Sequence, residues 1–138
     1  MARSVSDCEI VKLPKVQTIS GNITSLNNGI DAPFDVKRIF YIYDIPSGED
    51  RGAHAHKECY QLLVAITGAF EVEVFDGKQK SKFLLNQPDK GLHIPPGIWA
   101  SELNFSGGGG ICMVLASHEY QESDYIRDYN EFLRYITI

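Results

Sequence analysis

The stretch Arg51-Gly52-Ala53-His54-Ala55-His56 sets two imidazoles two residues apart in a chain whose other segments read as strands. Residues i and i+2 of a strand point to the same face. Both rings therefore project into one space, with Arg51 arriving from the turn just before them. Neighbouring imidazoles can hold a metal ion or pass protons near neutral pH. What else the chain brings to that face decides between the two.

Outward from this stretch, strand-like segments alternate with turn signals. Val36 to Ile45 is rich in β-branched and aromatic residues and stops at Pro46-Ser47-Gly48. Tyr60 to Thr67 is closed by Gly68. Phe70 to Phe75 alternates strictly and runs into Asp76-Gly77, a hairpin signal whose partner strand is Lys80 to Leu85. Gly91 to Ile94 ends at Pro95-Pro96-Gly97, and Gly110 to Ser117 follows the loop Gly107 to Gly110. Short strands at this spacing predict an all-β sandwich or barrel rather than alternating β and α units. Helix is expected only near the C-terminus. There Ser123 or Asp124 offers a cap, and Tyr125, Tyr129, Phe132 and Leu133 fall at helical spacing. No repeat or linker divides the sequence, so one domain over residues 1–138 is expected.

Composition narrows the function class. A net charge of −5 argues against a general nucleic-acid or membrane-surface binder. It leaves room for a phosphorylated small molecule, which needs only one or two local cations. No apolar run is long enough to span a bilayer, and Met1-Ala2-Arg3-Ser4 lacks the apolar core of a secretory signal. Cys8, Cys59 and Cys112 are odd in number and widely spaced, which reads as reduced, buried thiols in a cytoplasmic protein. There is no C-x-x-C, so a cysteine zinc site or redox motif is not expected.

From Gly48 to Asn104 the order of residues resembles the two cupin motifs. Gly48, His54-x-His56, Gln61 and Gly68 keep the gaps of the first motif, with Gln61 at its carboxylate position. Gly91, Pro95-x-Gly97, Ala100 and Asn104 follow the second, with a shorter gap before the proline and Ala100 where the histidine stands. A metal-dependent cupin uses both histidines of the first motif, its carboxylate and the second-motif histidine. This chain keeps two of those four. Gln61 adds no negative charge and Ala100 no donor atom, so the imidazole pair would leave a divalent ion with an incomplete shell. Proton chemistry is the better use of the pair.

The segments RGAHAHKECYQLLVAITGAFEV, GLHIPPGIWASELNFS, VLAS and SDYIRDYNEFL resemble the sugar 3,4-ketoisomerases that act on dTDP-4-keto-6-deoxyglucose. The likeness runs from about Ile39 to Leu133. It implies a cupin-type jelly-roll β-barrel, a homodimer and an enzyme of deoxysugar biosynthesis without metal or other cofactor. The implied substrate is a dTDP-linked keto-deoxyhexose, with neither nucleic acid nor membrane as partner. The implied reaction moves a carbonyl from C4 to C3 through an enediol. It needs two proton-transfer groups near neutrality and donors for the developing oxyanion.

Under that reaction His54 and His56 are the acid–base groups, one shuttling the carbon-bound proton and the other serving the oxygens. Tyr41 and Tyr43 share a strand face. Tyr43 is a candidate catalytic phenol and Tyr41 a substrate contact; the alternative is that both fill the barrel. Arg51 would clamp the diphosphate or steady the oxyanion. Gln61 would orient a histidine or a sugar hydroxyl. Trp99 would stack on the base or seal an interface. His93 and His118 read as structural or surface residues, and Asn104 as a brace for the loop after the second motif. Three other readings are a 3,5-epimerase on the same nucleotide sugar, a non-catalytic nucleotide-sugar-binding cupin and a metal-dependent cupin enzyme.

Overall fold

The computed structural model describes residues 3–46, 48–106 and 109–137. Among them the chain forms β1 (Glu9–Lys12), β2 (Val16–Thr18), β3 (Gly21–Ile23), β4 (Arg38–Ile42), β5 (Arg51–His56) and β6 (Gln61–Thr67). These are followed by β7 (Phe70–Phe75), β8 (Lys80–Leu85), β9 (Lys90–Ile94), β10 (Trp99–Leu103), β11 (Ile111–Ala116), β12 (Tyr125–Ile126) and α1 (Tyr129–Ile136). One antiparallel sheet has the order β1-β9-β6-β11-β4 and a second the order β12-β5-β10-β7-β8, while β2 and β3 pair apart as a hairpin.

Alternation along the strands explains how the two large sheets meet. Phe70, Val72 and Val74 of β7 point inward and Glu71 and Glu73 outward, giving one dry and one wet face. The inward residues meet Leu63 and Ala65 of β6, Leu92 and Ile94 of β9, and Cys112 and Val114 of β11. The fold is a cupin-like jelly roll of two facing sheets rather than a ring of strands hydrogen-bonded all round. β6 is apolar on both faces because both are covered. Leu62 and Val64 on its outer side pack with Leu13, Leu115, Leu26, Phe34 and Val36.

The hairpin at Asp76 forms as expected. The Asp76 carboxylate accepts from the backbone N–H groups of Lys78 and Gln79, and its second oxygen accepts from Val5 N. Other boundaries differ from the sequence expectation. β4 stops at Ile42, because Asp44 takes a left-handed φ of 57° that ends the pairing. Strands also occur in the N-terminal thirty residues, and β10 follows Pro95-Pro96-Gly97. The C-terminal helix is capped by Asp128, whose carboxylate accepts from Glu131 N at 3.0 Å. Ser123 and Asp124 lie instead in a single 3-10 turn, Glu122–Asp124. Ser47 of the expected turn, Gly107 and Gly108 of the glycine loop, and Met1-Ala2 at the N-terminus lie outside the described residues.

The tail positions the site. β12 pairs with β5, setting Tyr125 opposite His56 and Ile126 opposite Ala55. Phe132 of α1, wholly buried, clusters with Ile126, Ala55, Trp99 and Phe75. A single apolar anchor thus fixes the tail against the strand that carries the histidines.

Candidate active site

On β5 the i, i+2 rule sends Gly52, His54 and His56 to the interior, while Ala55 faces α1. The two Nε2 atoms of His54 and His56 lie 3.2 Å apart, with ring centroids 4.9 Å apart at 80°. On its far side, His56 Nδ1 donates to Asp124 Oδ2 at 2.8 Å. Asp124 is itself held, since its other carboxylate oxygen accepts from Glu58 N at 2.7 Å. The Tyr125 ring lies 4.4 Å from the His56 ring and 5.1 Å from that of His54. Arg38 Nη2 donates to the Tyr125 hydroxyl at 3.3 Å.

Charge follows from this geometry. Burial, the neighbouring His56, Arg127 and Arg38 push His54 down to about 4. Burial also lowers His56, although the hydrogen bond and charge of Asp124 oppose it. Burial would raise Asp124, but the His56 hydrogen bond and the Glu58 N–H outweigh it and hold the carboxyl below its ordinary value. The resting arrangement at neutral pH is an Asp124 carboxylate behind two neutral imidazoles that share one proton between their Nε2 atoms. A proton arriving at His54 passes toward His56, where the carboxylate stabilises the positive charge.

A cleft of about 580 Å³ opens in front of His54. Gln61, Ala100, Glu102 and Tyr125 line it further, with Arg51 and Arg127 contributing cations. Arg127 sits 4.2 Å above the Tyr125 ring centroid and is paired with Glu122 at 2.8 and 3.0 Å. His56 lies behind His54 and is only 5% exposed. The structure thus brings together His54, His56, Arg51 and Gln61 as the sequence suggests.

The aromatic candidates are placed otherwise. Phe40 and Ile42 of β4 turn toward the core, so alternation sends Ile39 and Tyr41 to the outer face. Tyr41 and Tyr43 are 61% and 58% exposed, with ring centroids 5.8 Å apart, at the cleft's outer margin. Tyr43 therefore does not project into the interior beside the histidines; Tyr125 does. Trp99, unlike the two tyrosines, does not line the cleft. On β10, Ala100 and Glu102 pair with the core residues Val74 and Val72 and point inward, which sends Trp99 under α1 against Tyr129 and Phe132. His93 stacks on Tyr60, His118 bonds Ser117 at the surface, and Asn104 donates to Glu71 at 2.6 Å.

Site residues given no catalytic or binding role from sequence are Asp124, Tyr125, Glu102 and Arg127. All but Glu102 fall in the segment SDYIRDYNEFL, whose likeness was visible while its proximity to β5 was not. Glu102 carried a local signal, since it stands two residues after the motif position Ala100 and so on the same strand face. Cys59 also approaches, with donor atoms of His56, Cys59 and Asp124 all within 4.8 Å of one another. That donor set suits a metal poorly. His56 Nδ1 is bonded to Asp124, and the Cys59 thiol is turned to the Tyr60 carbonyl at 3.4 Å.

Comparisons with known proteins show the family of the chain. The family model described as FdtA: WxcM-like, C-terminal, matches residues 6–137. A TDP-4-oxo-6-deoxy-alpha-D-glucose-3,4-oxoisomerase of Aneurinibacillus thermoaerophilus is 36% identical over 128 residues, covering 93% of this chain and 91% of that protein. The structure of a 3,4-ketoisomerase from Helicobacter canadensis superposes with a TM-score of 0.92 at 41% identity, covering 96% of this chain and 98% of the other. QdtA, a sugar 3,4-ketoisomerase from Thermoanaerobacterium thermosaccharolyticum crystallised with TDP, superposes at 0.93 with 30% identity, covering 97% of each chain.

Proposed function

The chain belongs to the FdtA family, WxcM-like, C-terminal, and from that premise we propose that it is a sugar 3,4-ketoisomerase. It moves the keto group of dTDP-4-keto-6-deoxy-D-glucose from C4 to C3 and yields a dTDP-3-keto-6-deoxyhexose for deoxysugar biosynthesis. The observation that carries this reading is the hydrogen-bonded chain Asp124–His56–His54 ending at a cleft.

The C3 hydrogen is acidified by the neighbouring ketone, and His54 is the basic group that faces the cleft. Taking that proton leaves a positive charge shared with His56, which Asp124 stabilises from behind. The electron pair forms the C3=C4 bond of an enediol. Return of the proton from the imidazole pair to C4 completes the carbon chemistry. The pair works as one unit, with His54 in contact with substrate and His56 as its proton acceptor. Tyr125 packs at a tilt against both rings and positions them.

Binding uses the cations around the cleft. Arg51 offers a planar fork for the diphosphate, and Arg127 is a second cation that can turn from Glu122 to phosphate. Gln61 is placed to hold a sugar hydroxyl. Tyr43 lines the same cleft as His54, where its phenol can meet the bound substrate. The domain is taken as one cupin unit over residues 1–138, acting in the cytoplasm; no described helix is long and apolar enough to cross a membrane.

A homodimer is supported by the outer face of the first sheet. Ile39, Tyr41 and Ile66 are exposed there, and Met113 lies between Tyr41 and Val64 in register. Light scattering should give twice the chain mass.

The test of function is incubation with dTDP-4-keto-6-deoxyglucose in deuterated water, followed by NMR. Carbonyl migration to C3 is expected, with solvent deuterium at C4 to the extent that the proton held by the imidazole pair exchanges before its return. Exchange at C5 without migration would favour a 3,5-epimerase. Unchanged substrate would remove the catalytic reading altogether.

A further inference from the structure

Glu102 is a carboxylic acid buried where the reaction described above assigns no role to it. It lies on the inward face of β10, 6% exposed, and lines the same cleft as His54. Its strand neighbour β5 makes room for it. A side chain at Gly52 would collide with the Glu102 carboxyl group. The carboxyl is therefore beside Gly52, two residues before His54 on the same face, or about 7 Å along the strand. A hexose ring laid over His54 reaches that far.

The surroundings set its protonation. Val72 of β7 is its apolar strand neighbour, Cys112 of β11 faces it, and Arg51 of β5 is the one cation acting on it among the described residues. Burial pushes the carboxyl up to about 7, against its own backbone N–H and Arg51, which lower it. Cys112 is raised by its own burial and by Glu102, so it is a neutral thiol and no competing base. At neutral pH the group exchanges a proton readily in either direction.

We propose that Glu102 is a further catalytic residue, the one that moves the hydroxyl proton between the C4 and C3 oxygens. The proposal rests on the ketoisomerase reading and completes its proton balance. In the first half, the histidine pair takes the C3 proton and the electron pair forms C3=C4. The carbonyl π pair moves to O4, which receives the proton of the Glu102 carboxylic acid. In the second half, the Glu102 carboxylate takes the proton from O3 and C3=O forms. The C3=C4 pair then accepts the proton held by the imidazoles at C4. Histidines and carboxyl end as they began, and no outside reagent is consumed.

The experiment uses the full chain and dTDP-4-keto-6-deoxyglucose, comparing wild type with Glu102→Gln. The amide keeps size and hydrogen-bonding capacity but transfers no proton. Its kcat should fall by about 10²-fold or more with KM little changed. The wild-type kcat–pH profile should show an ionisation near neutrality that the variant lacks. Circular dichroism confirms that the variant is folded, and Glu102→Asp, which keeps a carboxyl group, should recover part of the rate. Wild-type kcat and an unaltered pH profile in Glu102→Gln would overturn the proposal. A wild type that moves no carbonyl would instead bring down the ketoisomerase reading, and this proposal with it.

Discussion

His56 Nδ1 lies 2.8 Å from the carboxylate of Asp124, a residue sixty-eight positions further along the chain. The contact exists because β12 pairs with β5 and the 3-10 turn before it presents Asp124 to the strand end. It fixes the tautomer of His56, since the proton on Nδ1 leaves Nε2 to face His54. Asp124→Asn leaves an amide that can donate to Nδ1 and reverse that tautomer. Turnover should fall by about 10²- to 10⁴-fold, with a small change in melting temperature. His54→Asn and His56→Asn should each abolish measurable turnover. Full activity in both histidine variants would exclude the relay.

Stability against pH should show two opposed limbs. His54 is held down to about 4 in the folded protein, below its ordinary 6.5, so the unfolded chain binds more protons between those values. Its contribution is present above pH 6.5 and is lost as pH falls through 4. Glu102 is raised from 4.5 to about 7, so the folded chain binds more protons in that interval. Its contribution is present below pH 4.5 and is lost as pH rises through 7. Glu102→Gln removes the second limb only. At pH 9 the variant should be more stable than wild type by about 3 kcal/mol, and at pH 5 the gap should fall below about 1 kcal/mol. Urea unfolding at the two pH values checks this.

Much of the sheet framework was legible because alternation and turn residues are local. Phe70–Phe75 and Lys80–Leu85 match their sequence limits, since Asp76 caps both backbone N–H groups of the connection. Alternation alone could not say which set of β4 faces inward. Phe40 and Ile42 are as apolar as Tyr41 is aromatic, and only packing against the second sheet selects them. The same ambiguity misplaced Trp99, whose partner is a helix thirty residues later. Asp124 and Tyr125 were hidden for a related reason: they join the site through a two-residue strand whose pairing is entirely long-range. Glu102 was overlooked although its offset from Ala100 dictates its direction.

Trp99 offers a separation of structure from substrate binding. Its ring lies 5.5 Å from those of Phe132 and Tyr129, beneath α1 and away from the cleft. Trp99→Ala should destabilise the fold by roughly 3 kcal/mol, as removal of a large packed ring does. At temperatures where the variant is folded, KM for the nucleotide sugar should stay within about twofold of wild type, the outcome for a ring that adds no ground-state binding energy. A large rise in KM with unchanged stability would return Trp99 to the substrate. Thermal denaturation and steady-state kinetics on one preparation decide the matter.

Gly52 and Glu102 form a pair that can be tested by a double-mutant cycle. Gly52 has φ of 77°, which L side chains rarely adopt, and the space of its missing Cβ is filled by the Glu102 carboxyl. Gly52→Ala alone therefore meets two penalties, the backbone conformation and the displaced carboxyl. A loss of about 2–4 kcal/mol is expected, together with collapse of turnover as Glu102 moves off its position. In a Glu102→Ala background the steric penalty is absent, and the added alanine should cost only about 1–2 kcal/mol for the left-handed backbone. The coupling is thus expected to be on the order of 1–2 kcal/mol. Strict additivity would mean that the carboxyl does not occupy the space below Gly52. The floor of the cleft would then be built by other groups.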